Sequence, residues 1–209
     1  MNRRQAAKIK TRGKVMDAAR TLFAERGYDA ATIRDIARGA GMSTGAVFAN
    51  FQDKAELFEA VLAEDFGQML IDFQTGAQTD GSVSERLLAT LAAGYRRALD
   101  TLPMMQAVIA RSWFQSQADN ARLRVLTSPL RGLITQILTD GIAQGEVKRD
   151  ADLGLLTQMI WDSYAANYRF AAYDGWSMDE LTPHMARQLS LVLASALSGQ
   201  PARNVGLSV

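Results

Sequence analysis

The segment from Thr32 to Phe51, TIRDIARGAGMSTGAVFANF, constrains this chain more than any other, because its pattern is typical of two short helices joined by a sharp turn. Apolar residues at positions 33, 36 and 37 have the i, i+3, i+4 spacing of one helix face. Thr32 precedes them, and Asp35 follows three residues later, which is the spacing of an N-terminal capping pair. We therefore expect a helix to begin at Thr32.

A second helix is predicted directly after a glycine-containing turn. Gly39 and Gly41 can adopt a positive φ where the first helix must end, and Ser43 is a good N-cap for the next one. Val47 and Phe51 then share one face and are expected to pack inward. The other side chains of this helix are predicted to face outward: Thr44, Gly45, Phe48 and Asn50. Outward residues at the start of the second helix of a helix-turn-helix are those that reach base edges in a major groove.

Residues 12–62 resemble the DNA-binding domain of TetR-family transcriptional repressors. The resemblance rests on an amphipathic first helix followed by a set of matching residues: Phe23, Gly27-Tyr28, Thr32, Ile36-Ala37, Ala40-Gly41-Met42-Ser43, Gly45, Phe51, Lys54 and Leu57. Two positions depart from the family pattern. Phe48 stands where the family usually has tyrosine, and Asn50 where it often has histidine or another polar residue. A phosphate contact through a tyrosine hydroxyl is therefore missing at Phe48.

The charge of the chain is divided unevenly, although its formal total is only +1. Residues 1–54 contain 11 lysines and arginines against five acidic residues, a net charge of +6, whereas the remainder carries −5. A basic N-terminal part and an acidic body suit a protein that presents one end to a polyanion. The alternative is that the charges merely solvate a mobile N-terminus.

Length and composition favour a cytoplasmic globular protein. The 209 residues can bury a sizeable core, and the hydrophobic content of 48% is ordinary. The sequence has no apolar run long enough to cross a membrane, and the charged N-terminus lacks the apolar core of a signal peptide. The chain contains no cysteine, which excludes disulfides and thiolate chemistry.

The helical pattern continues to near residue 200, so we predict an all-α fold of about nine helices with two functional parts. Residues 1–10 are expected to be a disordered basic arm, 11–54 the helix-turn-helix domain, 55–200 a ligand-binding and dimerisation domain, and 201–209 a frayed tail. Helix 4 is predicted to begin at Asp53 and to act as a lever between the two parts. Gly67 within it marks either a bend or close contact, or a neutral surface position.

Further boundaries follow from turn residues. A loop is expected at Thr75–Gly81, and helix 6 is expected to end near Gln117. Helix 7 is predicted to follow Asn120 and to be kinked or restarted at Pro129.

Helices 8 and 9 are apolar over more than one face, which predicts burial against another chain unless they only close a monomeric core. The resemblance implies a two-fold dimer built by these helices as a four-helix bundle. The predicted interface residues are Leu156, Ile160, Leu181, Met185, Leu189, Val192, Leu193 and Ala196. Such a dimer would place two recognition helices about 34–36 Å apart on a near-palindromic operator.

Helices 5 to 8 are rich in methionine and aromatic residues. Ordinary core packing explains any one of them, but the resemblance implies a cavity for a mostly apolar or aromatic effector in this region. The predicted pocket residues are Phe66, Met69, Phe73, Tyr95, Met105, Ile109, Trp113, Met159, Tyr164, Asn167 and Tyr168.

These features lead to the hypothesis of a repressor that a small molecule releases from double-stranded DNA through movement of helix 4. Thr32, Ser43 and Lys54 are predicted to bind phosphates, Arg34 and Thr44 to reach base edges, and Ala46 and Phe48 to touch a thymine methyl group. Salt-sensitive affinity is assigned to the basic arm: Arg3, Arg4, Lys8 and Lys10.

Two other classes of function compete with this hypothesis. An enzyme is disfavoured, because the glycines at 39, 41 and 45 do not have dinucleotide-loop spacing and no G-x-S-x-G motif occurs. The lone His184 lacks an H-x-x-x-H partner, so neither a metal nor a cofactor is predicted. The remaining alternative is an all-helical dimeric ligand-binding or interaction protein with weakened DNA binding, which the departure at Phe48 makes conceivable.

Overall fold

The computed structural model describes residues 3–114 and 116–198, and over these residues the chain forms nine α-helices. The three N-terminal helices are α1 (Arg3–Ala30), α2 (Ile33–Gly39) and α3 (Thr44–Phe48). The larger part contains α4 (Lys54–Ala77), α5 (Val83–Leu99), α6 (Leu102–Ser112), α7 (Gln117–Ala143), α8 (Leu153–Asp174) and α9 (Met178–Leu193). The predicted all-α fold is confirmed.

Side-chain caps define most helix starts at the positions that the sequence indicates. The side chains of Thr32, Ser43, Asp53, Ser82 and Ser177 each accept a hydrogen bond from a backbone N–H of the first helical turn. Because such a cap satisfies a donor that the helix itself leaves without a partner, it selects the residue at which the helix begins.

The beginning of α1 differs from the sequence prediction. Residues 3–10, expected as part of a disordered arm, are helical and continuous with the rest of α1. The expected stop at Gly27 appears as a kink, with φ 74° and ψ 176°, after which the helix resumes as far as Ala30. The predicted frayed tail, 201–209, lies outside the described residues.

Helices α4, α6 and α7 also have boundaries that differ from the prediction. Helix α4 continues through Thr75 to Ala77, and α6 ends at Ser112 instead of near Gln117. Helix α7 begins at Gln117 and passes through Pro129 without interruption. Proline lacks an N–H for the carbonyl four residues earlier, Val125, but the Ser128 hydroxyl donates a hydrogen bond to that carbonyl at 2.9 Å. The freed acceptor is thus satisfied, and the helix continues.

Helix α4 contributes to the cores of both parts of the molecule. Near its start, Phe58 packs edge-to-face against Phe23 and Tyr28 of α1, with ring centroids 5.1 and 4.8 Å away. Further along, Phe73 is fully buried and its ring centroid lies 5.8 Å from that of Tyr164 in α8. A displacement of α4 in the body would therefore be transmitted to the N-terminal helices.

Two glycines of α4 have opposite surroundings. A Cβ at Gly76 would lie 2.6 Å from the Cα atom of Thr90, so α4 and α5 approach each other there by backbone contact. Nothing lies within 4 Å of a Cβ built at Gly67. Of the two interpretations of Gly67, the neutral surface position is therefore the one that agrees with the structure.

Candidate DNA-binding surface and effector cavity

Helices α2 and α3 form a compact helix-turn-helix on the surface of α1. Gly41 has a φ of 67° in the connecting turn, a value that favours glycine. Ile36, Val47 and Phe51 are buried and hold the two helices against the N-terminal core. The Arg12 guanidinium donates to the Asn50 carbonyl at 2.8 Å and lies 4.1 Å from the Phe51 ring centroid, which ties the end of this motif to α1.

Four of the residues predicted to contact DNA are exposed on α2 or α3. Arg34 on α2 and Thr44, Gly45 and Phe48 on α3 are exposed, and the Phe48 side chain is exposed over 54% of its area. Ala46 is half-buried. Because an exposed phenylalanine gains nothing from the core, Phe48 is available for an apolar contact with a partner.

The two capping hydroxyls among the predicted phosphate ligands already have partners within the chain. Thr32 Oγ1 accepts from the Asp35 N–H at 3.1 Å and donates to the Asp35 carboxylate at 2.7 Å, which contributes most to lowering the pKa of that carboxyl. Ser43 Oγ accepts from the Ala46 N–H at 3.2 Å. Each hydroxyl therefore positions its helix.

The Asn50 and Lys54 side chains are directed into the protein, which differs from the outward orientation predicted for Asn50 and the phosphate contact predicted for Lys54. The Asn50 side-chain amide donates to the carbonyl of Ala46 at 2.9 Å. The Lys54 ammonium donates to the carbonyls of Tyr28 and Ala31 at 2.9 and 3.0 Å, and more weakly to that of Asp29 at 3.4 Å. Partial burial lowers the pKa of Lys54. Both side chains satisfy backbone acceptors at helix ends, which a periodicity argument cannot detect.

The basic residues of the expected arm lie on the first turns of α1. Lys8 and Lys10 are exposed, and Arg3 and Arg4 fall within the helix, although their side chains are outside what the structure describes. Since α1 also supports α2 and α3, these charges extend from the helix-turn-helix along a helix instead of a flexible segment.

A cavity of about 780 Å³ lies among α4, α6, α7 and α8. Phe66 and Met69 of α4, Met105 and Ile109 of α6, and Tyr164 of α8 form part of its apolar wall. A larger groove of about 1260 Å³ runs between α4 and α5, but it is lined by many charged side chains, several of them paired with one another, such as Arg97 with Asp72. The smaller, more apolar cavity is the better candidate for an apolar effector.

Seven of the eleven predicted pocket residues line this cavity: Phe66, Met69, Met105, Ile109, Trp113, Tyr164 and Tyr168. Phe73 and Tyr95 are instead fully buried and pack against Tyr164. Met159, also a predicted pocket residue, does not line this cavity and is 43% exposed on α8. Helix α8 has one face toward the cavity and another toward solvent, and both carry apolar residues. Composition alone therefore does not show which of these residues line the cavity.

Asn167 belongs to a buried polar cluster next to the cavity. Its amide donates to the Tyr95 hydroxyl at 3.0 Å and to the Gln188 side chain of α9 at 2.7 Å. The Tyr95 hydroxyl donates to the carbonyl of Tyr164, whose own hydroxyl lies 2.5 Å from that of Tyr168. Burial raises the pKa of all three tyrosines, so they stay neutral. The cluster links the cavity wall to α5 and α9.

Tyr28 connects the cavity to the helix-turn-helix by a contact that the sequence did not suggest. The Arg111 guanidinium of α6 lies 4.1 Å from the Tyr28 ring centroid, and the Lys54 ammonium lies 4.2 Å from it. Arg111 is two residues from Ile109, which lines the cavity. In addition, Arg20 of α1 pairs with Asp65 of α4 at 2.9 Å. Both α4 and α6 thus connect the cavity with the DNA-binding surface.

The predicted dimer-interface residues are buried within the single chain, with one partial exception. Leu156, Ile160, Leu181, Met185, Leu189, Leu193 and Ala196 are all buried, and only Val192 is partly exposed. Helix α9 packs against α5 and α8, so its apolar stripe fills the intramolecular core. The large exposed apolar residues of these helices are Leu155, Met159, Tyr173 and Leu191.

Three further features concern metal ligands, membrane-spanning helices and the surroundings of His184. Within residues 3–114 and 116–198, no group of three or more histidine, cysteine, aspartate or glutamate side chains is arranged to hold a metal ion. None of the helices in this part of the chain has the length and hydropathy needed to cross a membrane. The His184 ring packs edge-on against the stacked rings of Phe170 and Trp176, with its centroid 5.2 Å from each.

The known proteins that this chain resembles are regulatory proteins. Residues 15–61 match the family described as bacterial regulatory proteins, tetR family. The HTH-type transcriptional repressor KstR2 of Mycobacterium tuberculosis is 27% identical over 162 residues, which cover 76% of this chain and 80% of that protein. The fatty acid metabolism regulator protein of Bacillus subtilis is 25% identical over 151 residues, covering 70% and 76%.

A solved structure shares the fold over most of both chains. The transcriptional regulator FadR from Bacillus subtilis, crystallised in complex with stearoyl-CoA, superposes with a TM-score of 0.75 at 20% sequence identity, covering 87% of this chain and 97% of that one. At this identity the likeness establishes the fold.

Proposed function

We propose that this chain, whose residues 15–61 match the tetR family of bacterial regulatory proteins, is a repressor that a mostly apolar effector releases from its operator. The observation that carries the proposal is the position of the cavity. Its walls include α4 and α6, the two helices that also contact the N-terminal domain. Occupation of the cavity and the position of the DNA-binding surface are therefore mechanically linked.

On the DNA side, the exposed residues of α2 and α3 support binding in a major groove. Arg34 is exposed and carries a guanidinium fork suited to guanine, and Thr44 lies in the first turn of α3. Phe48 and the half-buried Ala46 suit contact with a thymine methyl group. Lys8 and Lys10 on α1 add attraction to phosphates that depends on salt. Asn50 and Lys54 are not part of this proposal, because their side chains serve the internal structure.

On the effector side, a ligand among Phe66, Met69, Met105 and Ile109 would separate α4 from α6. Movement of α6 would displace Arg111 from the Tyr28 ring, and movement of α4 would act on the pair of Asp65 with Arg20. Either change would reposition α1 together with α2 and α3. By linkage, operator DNA would weaken effector binding by the same factor.

The exposed apolar residues of α8 and α9 support a homodimer, through a different surface from the buried stripe predicted above. The Lys148 ammonium donates to the Ser195 carbonyl, so the end of α9 lies beside the start of α8. Leu155 and Met159 on α8 and Leu191 on α9, which is 79% exposed, are found at this end. Replacing Leu191 with Glu is expected to give a folded monomer by light scattering, because a charge would be buried in the interface.

DNA binding is tested by anisotropy titration of the full-length protein with labelled DNA from upstream of its own gene, over a range of salt concentrations. Arg34→Ala should weaken binding to this DNA about tenfold to a hundredfold and reduce discrimination against unrelated DNA, since a bidentate base contact contributes about 1–3 kcal/mol. Arg149→Ala, an exposed position after α7, is the matched control and should bind as wild type does. Absence of binding by folded wild-type protein at low salt would defeat the repressor proposal.

The coupling is tested separately with Arg111→Gln. This variant keeps a polar, uncharged side chain, shorter than that of arginine, and removes the cation above Tyr28. It should bind DNA and effector individually with near wild-type affinity, while the effector's influence on DNA affinity decreases. An unchanged influence would exclude α6 as the connecting helix and leave α4 alone.

A further inference from the structure

We propose that Arg124, Arg131 and Arg169 form an anion-binding site at the opening of the effector cavity, and that the effector is an amphipathic molecule with an acidic headgroup. The three guanidinium groups would bind this headgroup while the apolar part of the molecule occupies the cavity. The inference rests on the proposed function, because it names the chemical class of the ligand for the same cavity.

The charge around the cavity is opposite to that of the rest of the body. Residues 55–209 carry a net charge of −5. The charged residues that line the cavity are the three arginines and one acidic residue, Asp162. Arg124 and Arg169 are exposed and Arg131 is partly buried, so the charges lie on the solvent side of an otherwise apolar space. A cavity for a neutral ligand has no need of such an excess of positive charge.

Three other arginines of the body pair with carboxylates. Arg86 pairs with Asp140, Arg97 with Asp72, and Arg122 with Glu59. In the part of the chain that the structure describes, no carboxylate lies within 4.0 Å of the guanidinium groups of Arg124, Arg131 or Arg169. Each guanidinium therefore retains donors for charge-assisted hydrogen bonds with an anion.

The arrangement on the helices suits an extended headgroup. Arg124 and Arg131 are seven residues apart on α7, which is about two turns or about 10 Å along the axis, with cavity-lining Thr127 between them. Arg169 comes from α8 and borders a second space of about 230 Å³ that continues past Trp113 and Tyr173. Trp113 is 82% exposed and offers a flat apolar surface beside the charges. The apolar wall, by contrast, lies deeper and contains no charged group.

An acidic headgroup of this kind has two chemical sources. It is either the carboxylate of a free long-chain acid or the phosphates of a thioester conjugate such as an acyl-CoA. Both share an apolar chain and negative charge at one end. They differ in the number of charges and in the length of the headgroup, so direct binding measurements distinguish them.

The experiment measures binding of palmitate, palmitoyl-CoA, coenzyme A and the neutral hexadecanol to the full-length protein by tryptophan fluorescence, since Trp113 and Trp161 line the cavity. The triple variant Arg124→Gln, Arg131→Gln, Arg169→Gln is compared with wild type and with Arg149→Gln. We expect the triple variant to bind the preferred anionic probe about tenfold more weakly or worse, with hexadecanol binding and the Arg149→Gln control unchanged. A triple Arg→Lys variant should retain most of the affinity, because it keeps the charge.

Several results would overturn the anion site. They are equal binding of the anionic probes by wild type and the triple glutamine variant, failure of wild type to bind any anionic probe, or an equal loss of hexadecanol binding by a variant whose circular dichroism is native. If palmitate alone is affected, the headgroup is a carboxylate; if palmitoyl-CoA is affected, it is a phosphate conjugate. DNA binding without effector is measured on the same samples. If wild type binds DNA but no anionic probe, the anion site is refuted and the repressor proposal stands. If wild type binds an anionic probe through the three arginines but does not bind DNA, the repressor proposal is refuted and the anion site stands.

Discussion

Replacing Lys54 with Met tests whether this lysine stabilises the N-terminal domain or contacts DNA. The change keeps most of the apolar length of the side chain and removes the ammonium, which donates to the carbonyls of Tyr28 and Ala31 at 2.9 and 3.0 Å and lies 4.2 Å from the Tyr28 ring centroid. Both residues are buried, so water can replace these hydrogen bonds only in part.

The magnitude follows from those contacts. Hydrogen bonds to a charged group contribute about 1.5–3 kcal/mol each where buried, and a cation above an aromatic ring about 0.5–1 kcal/mol at exposed sites. Lys54 is partly exposed, which reduces all three contributions, and we therefore expect a loss of about 2–3 kcal/mol in the free energy of unfolding. For a chain of this size the midpoint should fall by about 5–10 °C.

The assay combines thermal unfolding, followed by circular dichroism, with DNA titration well below the midpoint. Lys14→Met is the control, since Lys14 is exposed on α1, and it should change stability by less than about 0.5 kcal/mol. The reasoning is refuted if Lys54→Met unfolds together with wild type while its affinity for all DNA sequences falls and the salt dependence decreases by about one ion. That result would restore the phosphate contact predicted from the sequence.

Three further predictions concern packing, DNA contact and pH. Gly76→Ala should destabilise the protein by about 1–3 kcal/mol or more in urea unfolding, because the added Cβ meets the α5 backbone, whereas Gly67→Ala on the same helix should be neutral or stabilising by up to about 1 kcal/mol. Phe48→Tyr should strengthen DNA binding a few-fold in anisotropy titrations, since a hydroxyl on this exposed ring can reach a phosphate; equal affinities would mean that the ring faces bases only. Hydrogen bonds from Gln136 and Arg86 lower the pKa of Asp140, so its contribution to stability is present above its unfolded pKa, near 4, and is lost as the pH falls through the lower folded value. Unfolding of Asp140→Asn should accordingly depend less on pH between about 5 and 3, and equal slopes would contradict this assignment.

The correct sequence predictions rest on interactions between neighbours along the chain. Thr32 and Ser43 cap helices because each hydroxyl reaches an N–H three residues later, and Gly41 allows the turn because it tolerates a positive φ. Such features need no knowledge of the remaining fold. Even the uninterrupted course of α7 through Pro129 has a local explanation, in the Ser128 hydroxyl, that sequence reasoning overlooked.

Apart from helix boundaries, the predictions that differ from the structure concern which of two available partners a side chain meets. Lys54 is as suited to a phosphate as to a helix C-terminus, and only the approach of α1 to α4 supplies the three carbonyls that it contacts. The apolar stripe of α9 is equally suited to a second chain, yet α5 and α8 cover it within one chain. Exposed apolar residues such as Leu191 are therefore the ones available for contact with a second chain.

The sequence by itself determined that this chain is helical, where most of its capped helices begin and which segment forms the helix-turn-helix. Tertiary structure decided the rest: the cavity among α4, α6, α7 and α8, the contact of Arg111 with Tyr28, and the grouping of three arginines from α7 and α8. Helix starts depend on hydrogen bonds a few residues apart, which local sequence specifies. Cavities and charge clusters depend on how helices distant in sequence pack, and a single periodic pattern is compatible with many such packings.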